Sequence, residues 1–479
     1  MSKPNIIFIL LDDYGWKDST CYGSSFYETP HVDRLCAQGM KFTDAYASCP
    51  VCSPTRASVM TGKYPATVGI TDWINWGGNA HPIKGRLIDV PYLKDLPQTE
   101  HTVAKALQAG GYATWHVGKW HLGGPGHKPE DHGFEVNVGG CEVGSPGGGG
   151  YFSPWSIPVL KDVDVPEGTY LTDYLSDQVV NLVENRDQGR PFFLNLWYYT
   201  VHTPIQAKEE KIKKYEAKAK ALGLDLVKTF EDGDFHPSVR KKDQRIKRRL
   251  VQSDPVYAAM IESMDEGIGK LLDVLEREGI ADNTVIVFTS DNGGLATSEG
   301  SPTCNAPLAE GKGWMYEGGT REPLLVKWPG VTSAGSVCDV PVTSPDYYPT
   351  LLEIAGVEPI AEQKFDGVSI APLLRGEGLD REAIYWHYPH YGNQGGTPGS
   401  SVRAGDYKLI EFFESGHVEL YNLRDDIGEE NDLADVLPDV RDRLMAMLHA
   451  WRDAVEAKIP EVNPEFESWQ ENPIWKRCM

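Results

Sequence analysis

The run Asn5-Ile-Ile-Phe-Ile-Leu-Leu11, broken off by Asp12-Asp13, constrains this chain more than any other stretch. A strand exposed on one face alternates apolar and polar residues, whereas a continuous apolar run belongs in a parallel sheet covered on both faces. In open α/β sheets ligands bind beyond the carboxyl ends of the strands, where Asp12 and Asp13 would stand. Two adjacent carboxylates are costly to bury unless a cation neutralises them. The plain alternative is one Asp capping a helix and the other in solvent. Thr284-Val-Ile-Val-Phe-Thr-Ser-Asp291-Asn292 repeats the pattern. Together the two stretches offer three carboxylates and an amide oxygen, an all-oxygen set for a hard cation, Ca²⁺ or Mg²⁺. Ca²⁺ is preferred because it tolerates irregular geometry.

Cys49-Pro-Val-Cys52-Ser-Pro-Thr-Arg56 leads into a predicted helix, with Ser53 as N-cap, Pro54 at the first helical position and Gly62 as the stop. Cys52 would then lie just outside a helix N-terminus, which favours an anion, with Arg56 one turn in. Cys49 and Cys52 also form a C-x-x-C pair, so a redox dithiol or half of a zinc site competes, as does a buried inert thiol. No second C-x-x-C or H-x3-H follows to complete a zinc site.

Further polar residues follow predicted strands. Residues 102–111 read as a helix stopped by glycine, and 112–117 as a strand entering Gly118-Lys119-Trp-His121-Leu-Gly123. Lys119 and His121 share a face of extended chain. Residues 192–198 form another apolar strand, ending at His202-Thr-Pro204. Cys52-Ser-Pro-Thr-Arg56 with Thr61-Gly-Lys-Tyr-Pro65, the Asp-Asp and Asp-Asn strand ends, and Gly-Lys-Trp-His-Leu-Gly resemble the signatures of the formylglycine-dependent (type I) sulfatases. The layout is similar to N-acetylgalactosamine or galactose sulfatases and arylsulfatases.

The resemblance implies an alkaline-phosphatase-like α/β fold: a large mixed, mostly parallel sheet flanked by helices, plus a small C-terminal antiparallel sheet with a packed helix. It implies a catalytic part over 1–378 and a C-terminal subdomain over 379–479. It carries over Asp12, Asp13, Asp291, Asn292 and the modified Cys52 as metal ligands, and Lys312 as the second sulfate-binding lysine beside Lys119. The implied cofactors are Ca²⁺ or Mg²⁺ and 3-oxoalanine (formylglycine), made from Cys52 by a formylglycine-generating or anaerobic sulfatase-maturating enzyme. In the implied mechanism a hydroxyl of the hydrated aldehyde attacks sulfur, aided by Arg56. His202 protonates the leaving oxygen, and His121 deprotonates the second hydroxyl to expel sulfate. The carboxylates carry −3, and the divalent ion with Arg56, Lys119 and Lys312 carries +5, leaving +2 for an anionic ester. The expected activity is desulfation of an aryl sulfate or, exo, of a sulfated saccharide. A phosphonate monoester or phosphodiester hydrolase on the same residue, and a silent sulfoglycan-binding protein, are the alternatives.

The chain has 479 residues and a net charge of −23, which disfavours nucleic acid as a partner. No stretch approaches the roughly 18 apolar residues of a membrane span, and the N-terminus lacks a signal-peptide layout. The expected location is cytoplasmic, or periplasmic or secreted if a leader has been removed, and an oligomer is compatible with the sequence. Trp73, Trp76, Lys84 and Arg86 form an aromatic and basic insertion suited to a sugar, or an ordinary packed loop. Residues 144–151 read as a flexible glycine loop, and 207–250 as a charged helical segment with basic clusters at 240–242 and 247–249. Beyond residue 378 short alternating strands precede a helix over 436–457. The loop between the first two strands places His387 and His390 as candidate substrate contacts, or as an aromatic corner.

Overall fold

The computed structural model describes residues 3–75 and 83–466. Its organising strand is β1 (Asn5–Leu11), fully buried. Alternate side chains feed two separate cores, as strand geometry requires. Ile7, Ile9 and Leu11 pack into one, with α1 (Pro30–Gln38), α4 (Leu171–Glu184) and α6 (Pro255–Arg277). Ile6, Phe8 and Leu10 pack into the other, with α2 (Cys52–Thr61), α3 (Val103–Ala109) and α7 (Tyr347–Ala355). The continuous apolar run therefore reflects a sheet sandwiched between helical layers.

The other strands are β2 (Met40–Tyr46), β3 (Ala113–Gly118), β4 (Val136–Val138), β5 (Phe192–Trp197), β6 (Thr284–Ser290), β7 (Arg321–Lys327) and β8 (Ser336–Cys338). The order is β8-β2-β7-β6-β1-β5-β3-β4, with a short strand at Val342–Thr343 also on β2. β1 is parallel to β5 and β6, and β3 to β5, while β7 alone among these strands runs antiparallel to its neighbours. The carboxyl ends of β1, β2, β3, β5 and β6 thus share one rim. Close approach is built in there: a Cβ on Gly118, at φ +107°, would sit 1.9 Å from the Trp197 carbonyl oxygen.

A second, antiparallel sheet comprises β9 (Ile384–Tyr388), β10 (Gly399–Ala404), β11 (Tyr407–Phe412) and β12 (Val418–Asn422). Helix α8 (Pro438–Ala454) buries Leu444 and Leu448 against it. This is the expected mixed α/β architecture with a small antiparallel sheet and packed helix.

Two segments differ from expectation. Only Glu209–Ala221, α5, is α-helical in the charged segment 207–250; Phe230–Phe235 and Arg245–Arg249 form an antiparallel hairpin. Charge content does not encode helical period, and the hairpin is fixed by contacts remote in sequence. Arg248 donates to Glu310 at 2.8 Å, and Arg249 pairs with Asp254 at 3.2 Å. The basic cluster at 247–249 is therefore largely spent on internal carboxylates. The glycine loop at 144–151 is tied down: Ser156 Oγ accepts from Gly149 N–H, and Gln206 Oε1 accepts from Tyr151 N–H. No helix among the described residues is long and apolar enough to cross a membrane.

Candidate active site

Helix α2 begins at Cys52, with Val51 in the N-cap position, two residues earlier than the sequence suggests. The Ser53 hydroxyl does not cap the helix; it accepts from Ile74 N–H at 3.0 Å and so holds the following insertion. Cys52 consequently occupies the first helical position rather than the residue outside it. Gly62, at φ +71°, ends the helix as expected. All ten residues are buried, and Thr55 Oγ1 donates to the Cys49 carbonyl at 3.1 Å, fixing the approach.

The C-x-x-C pair does not act as a unit. Cys49 lies in an apolar cluster with Tyr46, Val51 and Trp386, whereas Cys52 lies within 4.8 Å of ligand atoms of Asp12 and His202. Burial pushes both thiols up, and for Cys52 Lys119 and Lys312 oppose that rise only in part. Neither is a depressed-pKa thiolate of the dithiol type. No candidate metal-holding group among the described residues includes Cys49, so the pair gives no half zinc site there.

Around Cys52 the rim gathers three carboxylates and three cations, all buried. Arg56 Nε donates to Asp291 Oδ2 at 2.9 Å, and its guanidinium stacks on Trp197 at 5.1 Å. Lys119 Nζ contacts Asp12 Oδ2 at 2.7 Å. Lys312 Nζ contacts Asp13 Oδ1 at 2.7 Å, and Asn292 Nδ2 donates to that same oxygen at 2.9 Å. The Asp13 backbone N–H, at a residue held at φ +61°, donates to Asp291 Oδ1 at 3.2 Å.

Two acceptors in this cluster, Asp12 Oδ1 and Asn292 Oδ1, have no hydrogen-bond donor. One oxygen from each of Asp12, Asp13 and Asp291 lies within 4.8 Å of the others. Burial, reinforced by Asp291 and Asp13 against Lys119 and Arg56, pushes the Asp12 carboxyl up to about 8. Burial would raise Asp13 as well, but Lys312, His202 and Asn292 hold it below its ordinary value. An orphaned amide oxygen beside crowded hard carboxylates is a donor set that fits a divalent cation.

The histidines differ in which nitrogen is free. His121 Nε2 lies 2.7 Å from the Ile74 carbonyl oxygen and must donate to it, leaving the buried Nδ1 without a partner. His202 Nδ1 donates to Thr203 O at 2.8 Å, so Nε2 faces Asp13 Oδ2 at 3.7 Å. Burial and Lys119 hold His121 well below its ordinary pKa; burial and Lys312 hold His202 at about 3. In both rings burial and the nearby lysine disfavour the charged form.

A cavity of about 670 Å³ opens onto this cluster, lined by Cys52, His121, His202 and Lys312. Among the candidate substrate contacts, Trp73 lines it, and Trp76 lies outside the described residues. Arg86 is exposed and lies away from the lining. His387 and His390 are also elsewhere, because their rings are consumed internally. His387 bonds Ser400 Oγ at 2.7 Å and the Lys458 carbonyl at 3.0 Å; His390 bonds Asp89 and Thr71 Oγ1. The same loop instead presents Asn393 and Gln394, which sequence reasoning passed over. Glu142 and Glu299 were also missed. The available signal was position: Glu142 follows the carboxyl end of the edge strand β4, and Glu299 lies in the long connection after β6.

The Sulfatase family profile matches residues 4–357. This chain belongs to the sulfatase family. A profile for the C-terminal part of N-sulphoglucosamine sulphohydrolase matches residues 310–453 of this sulfatase. A sulfatase of Formosa agariphila is 34% identical, covering 90% of this chain and 84% of that protein. Human N-acetylgalactosamine-6-sulfatase is 30% identical over 80% of this chain and 68% of its own length. The crystal structure of Ps i-CgsB in complex with k-i-k-neocarrahexaose matches with a TM-score of 0.74 at 28% identity, covering 100% of this sulfatase and 99% of that chain. The chain is a sulfuric ester hydrolase with the alkaline-phosphatase-like fold of its neighbours.

Proposed function

We infer that this sulfatase removes sulfate from a saccharide through a formylglycine made from Cys52. The observation that carries the reading is Cys52 at the first position of a buried helix, facing a cavity lined by Lys312, His121 and His202, with Lys119, Arg56 and the carboxylates behind. A saccharide is favoured because the human relative is named for N-acetylgalactosamine and the matching crystal structure holds an oligosaccharide.

Asp12, Asp13, Asp291 and Asn292 would hold Ca²⁺ or Mg²⁺, which supplies positive charge to stabilise anionic oxygen. Hydrated formylglycine supplies an oxygen nucleophile for sulfur and a second hydroxyl through which sulfate can be expelled. Lys312, at the cavity wall, and Lys119 behind it hold the ester oxygens as charge builds on them. Arg56 is locked by Asp291 and Trp197, so it keeps its positive charge beside residue 52 without reorganising. His121 Nδ1, with its other nitrogen committed to Ile74, is oriented to accept a proton. His202 Nε2 gives its proton to the leaving oxygen. A bound sulfate offsets the lysine charges that hold His202 low, and so favours the protonated ring needed for that step.

The test is mass spectrometry of the Cys52 peptide from protein matured alongside a formylglycine-generating enzyme, with an aryl sulfate assay on the same sample. The aldehyde mass with turnover that vanishes in Cys52→Ala is expected. An unconverted thiol and no turnover, in cells that convert other C-x-P-x-R proteins, would sink the reading.

A further inference from the structure

With a divalent ion bound, the cavity would carry opposite charge at its two ends. Its inner end is buried, with Lys312 in the wall and Lys119 and Arg56 behind, and Asp12, Asp13 and Asp291 balance these three cations until a divalent ion adds +2. Its outer wall carries two carboxylates, the half-buried Glu142 after β4 and Glu299, whose side chain is 34% exposed, after β6, beside Asn393 and Gln394. Lys312 is the only Lys or Arg lining the cavity among the described residues. Residues 76–82, within the neighbouring insertion, contain no Lys, Arg, Asp or Glu.

Glu299 is held in place. Its backbone sits at φ +49° between Ser298 at +56° and Ser301 at +41°, conformations that persist only when surroundings enforce them. Ser301 Oγ donates to Lys247 O at 2.7 Å, and Ser298 Oγ bonds His236 Nε2 at 2.9 Å. Gln394 Nε2 donates to Glu299 Oε2 at 2.7 Å. Lys241 stands 3.7 Å from Glu299 Oε1 and donates to the Asn393 carbonyl at 2.6 Å, outside the cavity lining. It offsets part of the Glu299 charge from behind while tying the hairpin to the loop carrying Gln394. With its amide nitrogen engaged, Gln394 has an Oε1 that lacks a donor, on a side chain 3% exposed.

The geometry points to an outer wall that reads hydrogen-bond donors and rejects anions, so that the sugar bearing the scissile sulfate carries hydroxyl or amide N–H groups and no second sulfate or carboxylate. This rests on the saccharide-sulfatase reading and adds the class of sugar. Hydroxyls and amides donate to carboxylates; a second sulfate or a uronate offers only acceptors and a like charge. In the Ca²⁺-loaded protein, whose inner end then carries net positive charge, the anionic wall would also orient a monoanion sulfate-first. Glu299 is a specificity-determining residue and Lys241 a positioning residue.

The test reads binding without turnover. Calorimetry on Ca²⁺-loaded Cys52→Ala protein compares N-acetylglucosamine 6-sulfate with glucosamine 2-N,6-O-disulfate, and N-acetylgalactosamine 6-sulfate with its 4,6-disulfate, at low and high salt. The monosulfated member of a pair is expected to bind tighter by about tenfold or more at low salt, with the gap narrowing as salt rises. Adding Glu299→Gln, or Glu142→Gln on its separate loop, narrows the gap chiefly by improving disulfate binding. Lys241→Met weakens the monosulfated sugar without restoring the disulfate. Equal or tighter disulfate binding, a ratio unmoved by both glutamine variants, or no binding by any of the four sugars overturns the inference. Wild-type turnover of an aryl sulfate, run alongside, reports separately on the sulfatase chemistry.

Discussion

Two buried clusters in this protein hold the same formal charges and do opposite things. At the strand rim Asp12, Asp13 and Asp291 face Arg56, Lys119 and Lys312. Between the two sheets, Asp44, Glu317 and Glu429 face Arg321, Arg403 and Lys408. The second cluster is closed: Lys408 bridges Glu317 and Glu429 at 2.9 Å each, and Arg321 and Arg403 both reach Asp44 Oδ1 at 2.7 Å. Tyr46 adds a hydrogen bond to Glu317 at 2.7 Å. Burial alone would raise Glu317, but Lys408, Arg321 and Arg403 together hold it low. Burial raises one carboxyl in each cluster, Glu429 to about 7 and Asp12 to about 8; the first is open because a cavity stands in front and Asp12 Oδ1 has Arg56 only at 3.9 Å, whereas Glu429 Oε1 has Lys408 at 2.9 Å. Charge count says nothing about purpose; satisfaction does. A closed set of ion pairs fastens the C-terminal sheet to the central one, and an open set is shaped for something it must still bind.

The contrast predicts that substitutions separate into losses of activity and losses of stability. The largest effect is expected from Asp12→Asn. Aryl sulfate turnover should fall by about a thousandfold or more through lost cation and sulfate positioning, while the melting temperature of the chelated protein stays level or rises. A lower melting temperature there would break the comparison. Lys408→Met should do the reverse, costing about 3–5 kcal/mol in denaturant unfolding because Glu429 is left buried without its cation and Glu317 keeps only Arg321, with kcat of the folded fraction nearly unchanged.

Acidity sharpens the contrast further. Asp12 is raised from 3.8 to about 8, so its contribution to metal-free stability is present below pH 4 and is lost as pH rises through 8. Calorimetry in chelator should show stability falling by at most about 1.4 kcal/mol per pH unit across that window, and excess Ca²⁺ should flatten the slope. A slope indifferent to Ca²⁺ would deny the open cluster its cation. The smallest effect is expected from Tyr46→Phe, which removes the hydrogen bond to Glu317 and the one accepted from Arg403 and should cost about 1–3 kcal/mol, without altering the Ca²⁺ dependence of turnover.

Much of the rim was legible because its residues follow apolar strands, and parallel strands deliver whatever follows them to one edge. Asp12, Lys119, His202 and Asp291 converge for that reason. The outer cavity was not legible. His387 and His390 carry the more conspicuous chemistry, yet their rings are used by Ser400, Lys458, Thr71 and Asp89, and Asn393 and Gln394 reach the cavity instead. The hairpin at 230–249 was read as helix because charge hides period, and its partners Glu310 and Asp254 come from elsewhere in the chain.

Local pattern by itself determined the layered α/β fold, the helix opening near Cys52 and the oxygen-rich strand ends, because periodicity, caps and strand termini are properties of short stretches of chain. Only the tertiary structure decided which nitrogen of His121 and of His202 is free, which buried charges are already paired, and which loop atoms face the sugar. Those depend on groups distant in sequence that folding brings within a hydrogen bond of one another, and no short stretch encodes its own partner.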